Sequence, residues 1–214
     1  MSKLKAELIK YSKKLNITDL SVLKSGSISV RAKEKGLDGF YVTPADIKYS
    51  SLKTKDIAFV TLKGVFDKKK NKPSLEWRFH QDIYVNKKEA KAIVHAQSIC
   101  ASAVSSHQKN IPAFHYRVAV AGGEDLKCTK YGTFGTKKLS KNIITALKNR
   151  SACLIANHGQ VAFGKNLEKA FELAQEIENI CHKYINALRV GIPKILSKKE
   201  MKIVLEKFKN YNKG

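Results

Sequence analysis

Apolar residues recur at helical spacing near the start of the chain, where Leu4, Leu8, Tyr11 and Leu15 predict a first helix over residues 3–15. The period then shortens. Residues 27–31 and 39–43 read as two β-segments around a polar turn at 33–38, and 57–62 reads as another strand. Pro73-Ser74 predicts a helix start, with Ser74 as N-cap and the helix running to about Val85. The run Ala92-Ile93-Val94-His95 is apolar and β-branched, which predicts a buried strand; a helix of small residues over 98–107 follows. Residues 116–121 read as a strand ended by Gly122-Gly123, 137–149 as a helix, and 152–157 as a further strand leading into His158-Gly159. A long helix over 167–188 stops at Gly191-Ile192-Pro193, and Ser197 to Glu200 match a capping box that opens the last helix. Strands and helices mix without strict βαβ alternation. This predicts an α/β fold, a three-layer α/β/α sandwich with a mixed, largely antiparallel central sheet. No internal repeat or Pro/Gly/Ser linker interrupts the pattern, so residues 1–214 read as a single domain.

Charge changes this picture less than its size suggests. The formal net charge is +23, which invites a nucleic-acid reading through phosphate contacts and counterion release. Only five of the 41 basic residues are arginine, however, and the lysines are scattered over every segment. The longest basic run, 68–72, reads as a solvated loop tip. No zinc finger, RNA-binding aromatic signature or basic zipper is present, so no nucleic-acid partner is expected. The charge can still attract anionic substrates over long range. Cys100, Cys128, Cys153 and Cys181 lie far apart without a CxxC pair, as free thiols of a reducing compartment do. No signal-peptide pattern opens the sequence, and no run approaches the roughly 18 apolar residues of a membrane span. A soluble, cytoplasmic protein without a membrane partner is expected.

Six histidines are present, and His95 and His158 stand out because each ends a buried apolar strand. Gly159 after His158 lets the chain turn away and leaves room for substrate. His95 and Gln97, two apart on a strand, share a face. Neutral imidazoles suit zinc or a similar divalent ion, and three protein ligands with one open position define a catalytic site. By itself this pattern also describes ordinary core or surface histidines.

Longer motifs narrow the choice. Residues 73–80, Pro-Ser-Leu-Glu-Trp-Arg-Phe-His, resemble the Pro-Ser-Ser-Glu-Trp-Arg-Phe-His signature of the class II aldolase family. Residues 92–98, 111–116, 131–136, 157–159, 166–170 and 204–211 are similar to further family segments, in order and at the family spacing. The resemblance covers about residues 20–211 and is strongest to the L-fuculose-phosphate aldolase-like branch. It implies a divalent metal held by His95, His158 and Gln97, the last standing where a third histidine is usual. It implies that Glu76 is the catalytic glutamate beside the metal, and that Tyr116 acts as an acid at a neighbouring subunit's site in a homotetramer. Phe134 and Tyr211 match residues near the cleft. The implied chemistry is reversible cleavage of a C–C bond beside a hydroxycarbonyl group through an enediolate, whose charge a metal stabilises as a Lewis acid.

Two departures qualify the resemblance. An amide oxygen at Gln97 is a weaker ligand for zinc and suits harder cations, so manganese or magnesium stand beside zinc as the expected metal. The positions matching the family's phosphate pocket read Lys24, Gly26, Ser27, Ala45, Asp46, Ser74 and Leu75. Leu75 removes a hydroxyl donor and Asp46 brings a carboxylate, so the pocket is expected to disfavour a phosphate dianion. The expected function is a metal-dependent aldehyde-lyase acting on a small sugar or sugar-phosphate-like molecule. The alternatives are a decarboxylase or other lyase on a hydroxy or keto acid, and a non-catalytic interaction protein of the same fold.

Overall fold

The computed structural model describes residues 2–18, 20–21, 25–69 and 72–211. Six strands, β1 (Ser27–Glu34), β2 (Leu37–Val42), β3 (Ala58–Thr61), β4 (Ala92–Ala96), β5 (Ala152–Ile155) and β6 (Gly159–Gly164), form one sheet in the order β3-β2-β1-β4-β6-β5. Every ladder is antiparallel, and among the described residues the parallel component is reduced to an isolated bridge between Cys128 and Leu154. The β1–β2 hairpin turns through Lys35 and Gly36, both at positive φ, as a two-residue hairpin loop requires.

Strand alternation sends side chains into two separate apolar clusters, one per face. Ala92, Val94 and Ala96 of β4 join a cluster with α1 (Ser2–Ile17), α3 (Ile99–Ser105), α5 (Leu167–Val190) and α6 (Lys198–Tyr211). Ile93 joins the opposite cluster with α2 (Trp77–Asn86) and α4 (Lys137–Ala146). His95, two residues from Ile93, therefore stands on the α2/α4 face. Helix α4 shows why its segment folds there. Thr136 caps it by accepting from the Leu139 N–H at 3.2 Å, and Leu139, Ile143 and Leu147 recur every four residues and are buried. Burying each such side chain contributes about 1.5–3 kcal/mol.

Three sequence readings change. Residues 116–121 form a 3-10 segment, Tyr116–Ala121, rather than a strand. The His115 ring accepts from the Arg117 N–H at 3.2 Å and Gly122 closes the segment at φ 98°, so a side-chain cap and a left-handed exit override the β-like composition. Helix α2 begins at Trp77, not at Ser74; the Ser74 hydroxyl accepts from the Glu76 N–H at 3.3 Å in a turn that precedes the helix. Strand β6 is not assigned by the sequence reading, which ends its strand at Asn157. Among the described residues no helix is long and apolar enough to cross a membrane.

Candidate active site

Three elements of the α2/α4 face meet at one cavity of about 470 Å³. The end of β4 brings His95 and, just beyond it, Gln97. The turn between β5 and β6 brings Asn157 and His158. The residue before α2 brings Glu76. Each is held by local structure. Asn157 sits at φ 54°, a left-handed conformation that asparagine tolerates, and its side-chain oxygen accepts from Gln108 at 2.8 Å. Gly159 at φ 149° lies so close to β4 that a Cβ there would come within 2.3 Å of the Ala96 carbonyl oxygen. That contact sets His158 beside His95, with ring centroids 4.8 Å apart and planes at 84°. Gly26, also lining the cavity, leaves room in the same way for the His95 carbonyl, which a Cβ at that position would approach to 2.6 Å.

One ligand atom from each of Glu76, His95 and His158 can be chosen so that all lie within 4.8 Å of one another. His95 Nδ1 lies 2.8 Å from the Gln160 carbonyl, which can only accept, so Nδ1 carries the proton and Nε2 presents a lone pair. Burial, and then His158 nearby, hold the His95 imidazole well below its ordinary protonation range, and burial lowers His158 as well. Both rings are thus neutral ligands. Burial raises the Glu76 carboxyl to about 7, opposed by a hydrogen bond from the Gly135 N–H. Among the described residues, Glu76 Oε2 and His95 Nε2 are buried without a hydrogen-bond partner. Leaving two such acceptors unmet costs about 1–3 kcal/mol each or more. Two imidazoles and a carboxylate around one point, two of their acceptors orphaned, fit a divalent cation.

The other sequence-derived positions divide. Gly26, Ala45, Asp46, Ser74, Leu75 and Phe134 line the cavity with Gln97. Leu75 and Phe134 are 64% and 63% exposed, large apolar groups at an open rim. Asp46 sits at φ 44° in a tight turn where the Ile47 N–H donates to the Ala45 carbonyl. Ser27 does not line the cavity; it is fully buried, and its hydroxyl lies 2.8 Å from His80 Nε2. Tyr116 does not line the cavity either; it is 48% exposed and stacks on His115 and Phe208. Lys24 lies outside the described residues, as does the side chain of Tyr211, the last residue of α6. Sequence reasoning did not single out Ser25, Ile47, Tyr131 or Asn157 as lining residues. Of these, Asn157 carried a signal, since Asn before His-Gly favours the left-handed turn that aims His158.

The family described as Class II Aldolase and Adducin N-terminal domain matches residues 6–185 of the chain. A 5-methylthioribulose-1-phosphate/5-deoxyribulose-1-phosphate aldolase of Rhodospirillum rubrum is 39% identical over 204 residues, spanning 95% of this chain and 90% of that protein. The L-fuculose phosphate aldolase of Escherichia coli K12 is 39% identical over 211 residues, spanning 98% and 96%. A solved L-fuculose 1-phosphate aldolase structure is similar with a TM-score of 0.91 at 37% identity, over 98% of this chain and 97% of that one. With a family match over most of its length and relatives of this identity across nearly all of it, the chain belongs to the class II aldolase family.

Proposed function

We propose that the protein is a divalent-metal-dependent aldehyde-lyase of the sugar-phosphate aldolase type. The convergence of Glu76, His95 and His158 on one point, with two orphaned acceptors there, carries this reading. His95 and His158 hold the metal, with Gln97 from the same cavity as a further oxygen donor; zinc is favoured by the imidazoles, and manganese or magnesium by the amide. When bound, the ion supplies Lewis-acid stabilisation of the negative charge left on the substrate when its C–C bond breaks. Glu76 moves the proton at the substrate carbon. Burial raises this carboxyl in the metal-free protein, and beside a cation it would return to the ionised form that accepts the proton. The Gly135 N–H orients the carboxylate, and Leu75 and Phe134 give the same cavity an apolar rim.

Two observations bear on the substrate. The relatives' names point to ketose 1-phosphates. Asp46 lines the cavity where the resemblance places a phosphate pocket, and a carboxylate there favours an unphosphorylated hydroxycarbonyl. Tyr116, exposed and outside its own chain's cavity, supports an assembly in which it reaches a neighbouring chain's site, as a homotetramer allows.

The test is retro-aldol cleavage of L-fuculose 1-phosphate, 5-methylthioribulose 1-phosphate and the corresponding free ketoses. It uses the purified chain, the chelator-treated chain and the chain reloaded with zinc or manganese. Cleavage is expected to vanish on chelation and return on reloading, and Glu76→Gln is expected to lower turnover by about 10²–10⁴ at unchanged metal content. Cleavage that survives chelation, or wild-type turnover in Glu76→Gln, would overturn the reading.

A further inference from the structure

We propose that His80 is a positioning residue: its imidazole ties the helix behind Glu76 to the strand beside His95, and so fixes the carboxylate against the imidazole at the candidate metal site. The inference rests on the reading of Glu76 and His95 as parts of one site. It starts from an oddity of the core. His80 is fully buried on the α2/α4 face, where an apolar residue would pack without the desolvation cost of an imidazole. Both ring nitrogens are nonetheless satisfied. Nε2 lies 2.8 Å from the Ser27 hydroxyl and Nδ1 lies 2.7 Å from the Ser29 hydroxyl, which in turn meets the Tyr84 hydroxyl at 2.8 Å. Ser27 and Ser29 are two apart on β1 and share a face, and Ser27 pairs directly with His95 across the β1–β4 ladder.

The arrangement is directional in a way apolar packing is not. Glu76 precedes α2 immediately, and His80 follows it by four residues, one helical turn along the same side. One end of that turn holds the carboxylate at the cavity; the other is bonded to the strand paired with His95. Phe79 fills the remaining space, stacked on His80 at 4.8 Å and edge-on to His95 at 5.4 Å. A sliding of α2 along the sheet would have to break two buried hydrogen bonds, leaving hydroxyls and a ring nitrogen unmet. The chain therefore commits two serines, a histidine and a tyrosine to the register between Glu76 and His95.

The experiment measures zinc affinity of the metal-free protein by competition with a chromophoric chelator, alongside melting temperature. His80→Leu and Ser27→Ala are each made in the wild-type and Glu76→Gln backgrounds. Both are expected to weaken zinc binding about tenfold in the wild-type background, in line with outer-shell supports of metal sites. His80→Gln, which keeps a donor and an acceptor, is expected to recover part of the loss. Glu76→Gln, although its site still fills at saturating zinc, is expected to lower zinc affinity by a similar factor, and in that background neither substitution is expected to add a further loss, because the carboxylate they position is already gone. Should His80→Leu fail to fold, Ser27→Ala removes a single oxygen and carries the comparison. Lowered melting temperature with unchanged zinc affinity, or equal losses in both backgrounds, would overturn the inference while leaving the metal reading intact. A wild type that binds no zinc would overturn both.

Discussion

Replacing Gly159 with alanine tests how the site is held together. The added Cβ would sit 2.3 Å from the Ala96 carbonyl oxygen and 3.1 Å from the Gln97 Cα, where real Cβ atoms keep at least 3.0 Å. The β5–β6 turn must therefore move away from β4 by about 0.7 Å, the difference between 3.0 and 2.3 Å. Ala96 faces Gln160 in the β4–β6 ladder, so the shift strains that pairing too. A non-glycine residue at this φ costs roughly 1–3 kcal/mol, and a weakened ladder bond adds about 1 kcal/mol. The expected loss of stability is thus about 2–4 kcal/mol. Gly191 supplies the control: its φ is 153°, nearly the same, and a Cβ there would meet nothing within 4 Å. Gly191→Ala measures backbone preference alone, and the difference between the two variants reports the contact. Because His158 adjoins Gly159, the displacement also separates the two imidazoles, and zinc affinity should fall about tenfold, the scale on which disturbing the support of a metal ligand acts. Urea unfolding and chelator competition measure the two effects. A Gly159→Ala variant as stable as Gly191→Ala, with wild-type zinc affinity, would refute the argument that this contact aims His158.

Gln97→His should tighten zinc binding by about tenfold or more while changing magnesium binding little, because imidazole outranks an amide oxygen only for the softer ion; calorimetry with both metals reads this, and equal affinities would place Gln97 outside the ligand set. Burial lowers His80 from 6.5 to about 3. Above about pH 6.5 both folded and unfolded states are neutral there and stability is at its full value; below it the unfolded chain takes up a proton that the folded chain refuses, so stability falls toward about pH 3, by an upper limit of about 5 kcal/mol. Urea midpoints of the metal-free protein between about pH 7 and 4 should show this slope, partly offset by Glu76, whose raised carboxyl takes up a proton first in the folded state; His80→Gln should flatten it only in part, because His95 and His158 titrate in the same direction as His80. Light scattering at micromolar concentration should give a tetramer mass, and a monomer would remove the role proposed for Tyr116.

Periodicity made most of the elements legible. Leu4, Leu8, Tyr11 and Leu15 mark α1, and the β-branched run at 92–95 marks β4, because in both the apolar spacing agrees with the face that is buried. It failed where tertiary contact decides. Residues 116–121 have a strand's composition, yet Val118, Ala119 and Ala121 are buried in a 3-10 segment whose His115 cap and Gly122 exit no periodicity reveals. The Gly-Gln-Val-Ala-Phe-Gly run of β6 offers no alternation, because it is buried on both faces and nearly every position is inward.

The site was legible to the extent that its residues belong to motifs. Glu76, His95, Gln97 and His158 each fall in a matched segment, and the fold brings them to one cavity. Gly159 does more than let the chain turn: it must also admit the Ala96 carbonyl, a demand that comes from a neighbouring strand. Ser27 shows the limit of reading roles by position. It matches a substrate-pocket residue and shares the α2/α4 face with its strand partner His95, but it is fully buried and its hydroxyl is engaged by His80 rather than presented to the cavity. A residue's partner on a packed helix, here 53 positions away, is set by how that helix docks on the sheet, and the docking appears only once the chain is folded. The same holds for Asp46, whose carboxylate changes sign of effect depending on what the fold places around it. Position alone makes it an obstacle to an anion; in the folded chain it shares the cavity wall with Ser25, Ser74 and the approach to Glu76, where hydrogen-bond donors of a polyol would meet an acceptor. Comparing kcat/KM for phosphorylated and free ketoses in Asp46→Gly and the wild type separates these roles: the glycine variant should gain on the phosphate and lose on the free sugar if the carboxylate selects against a dianion, and move neither if it serves only the turn.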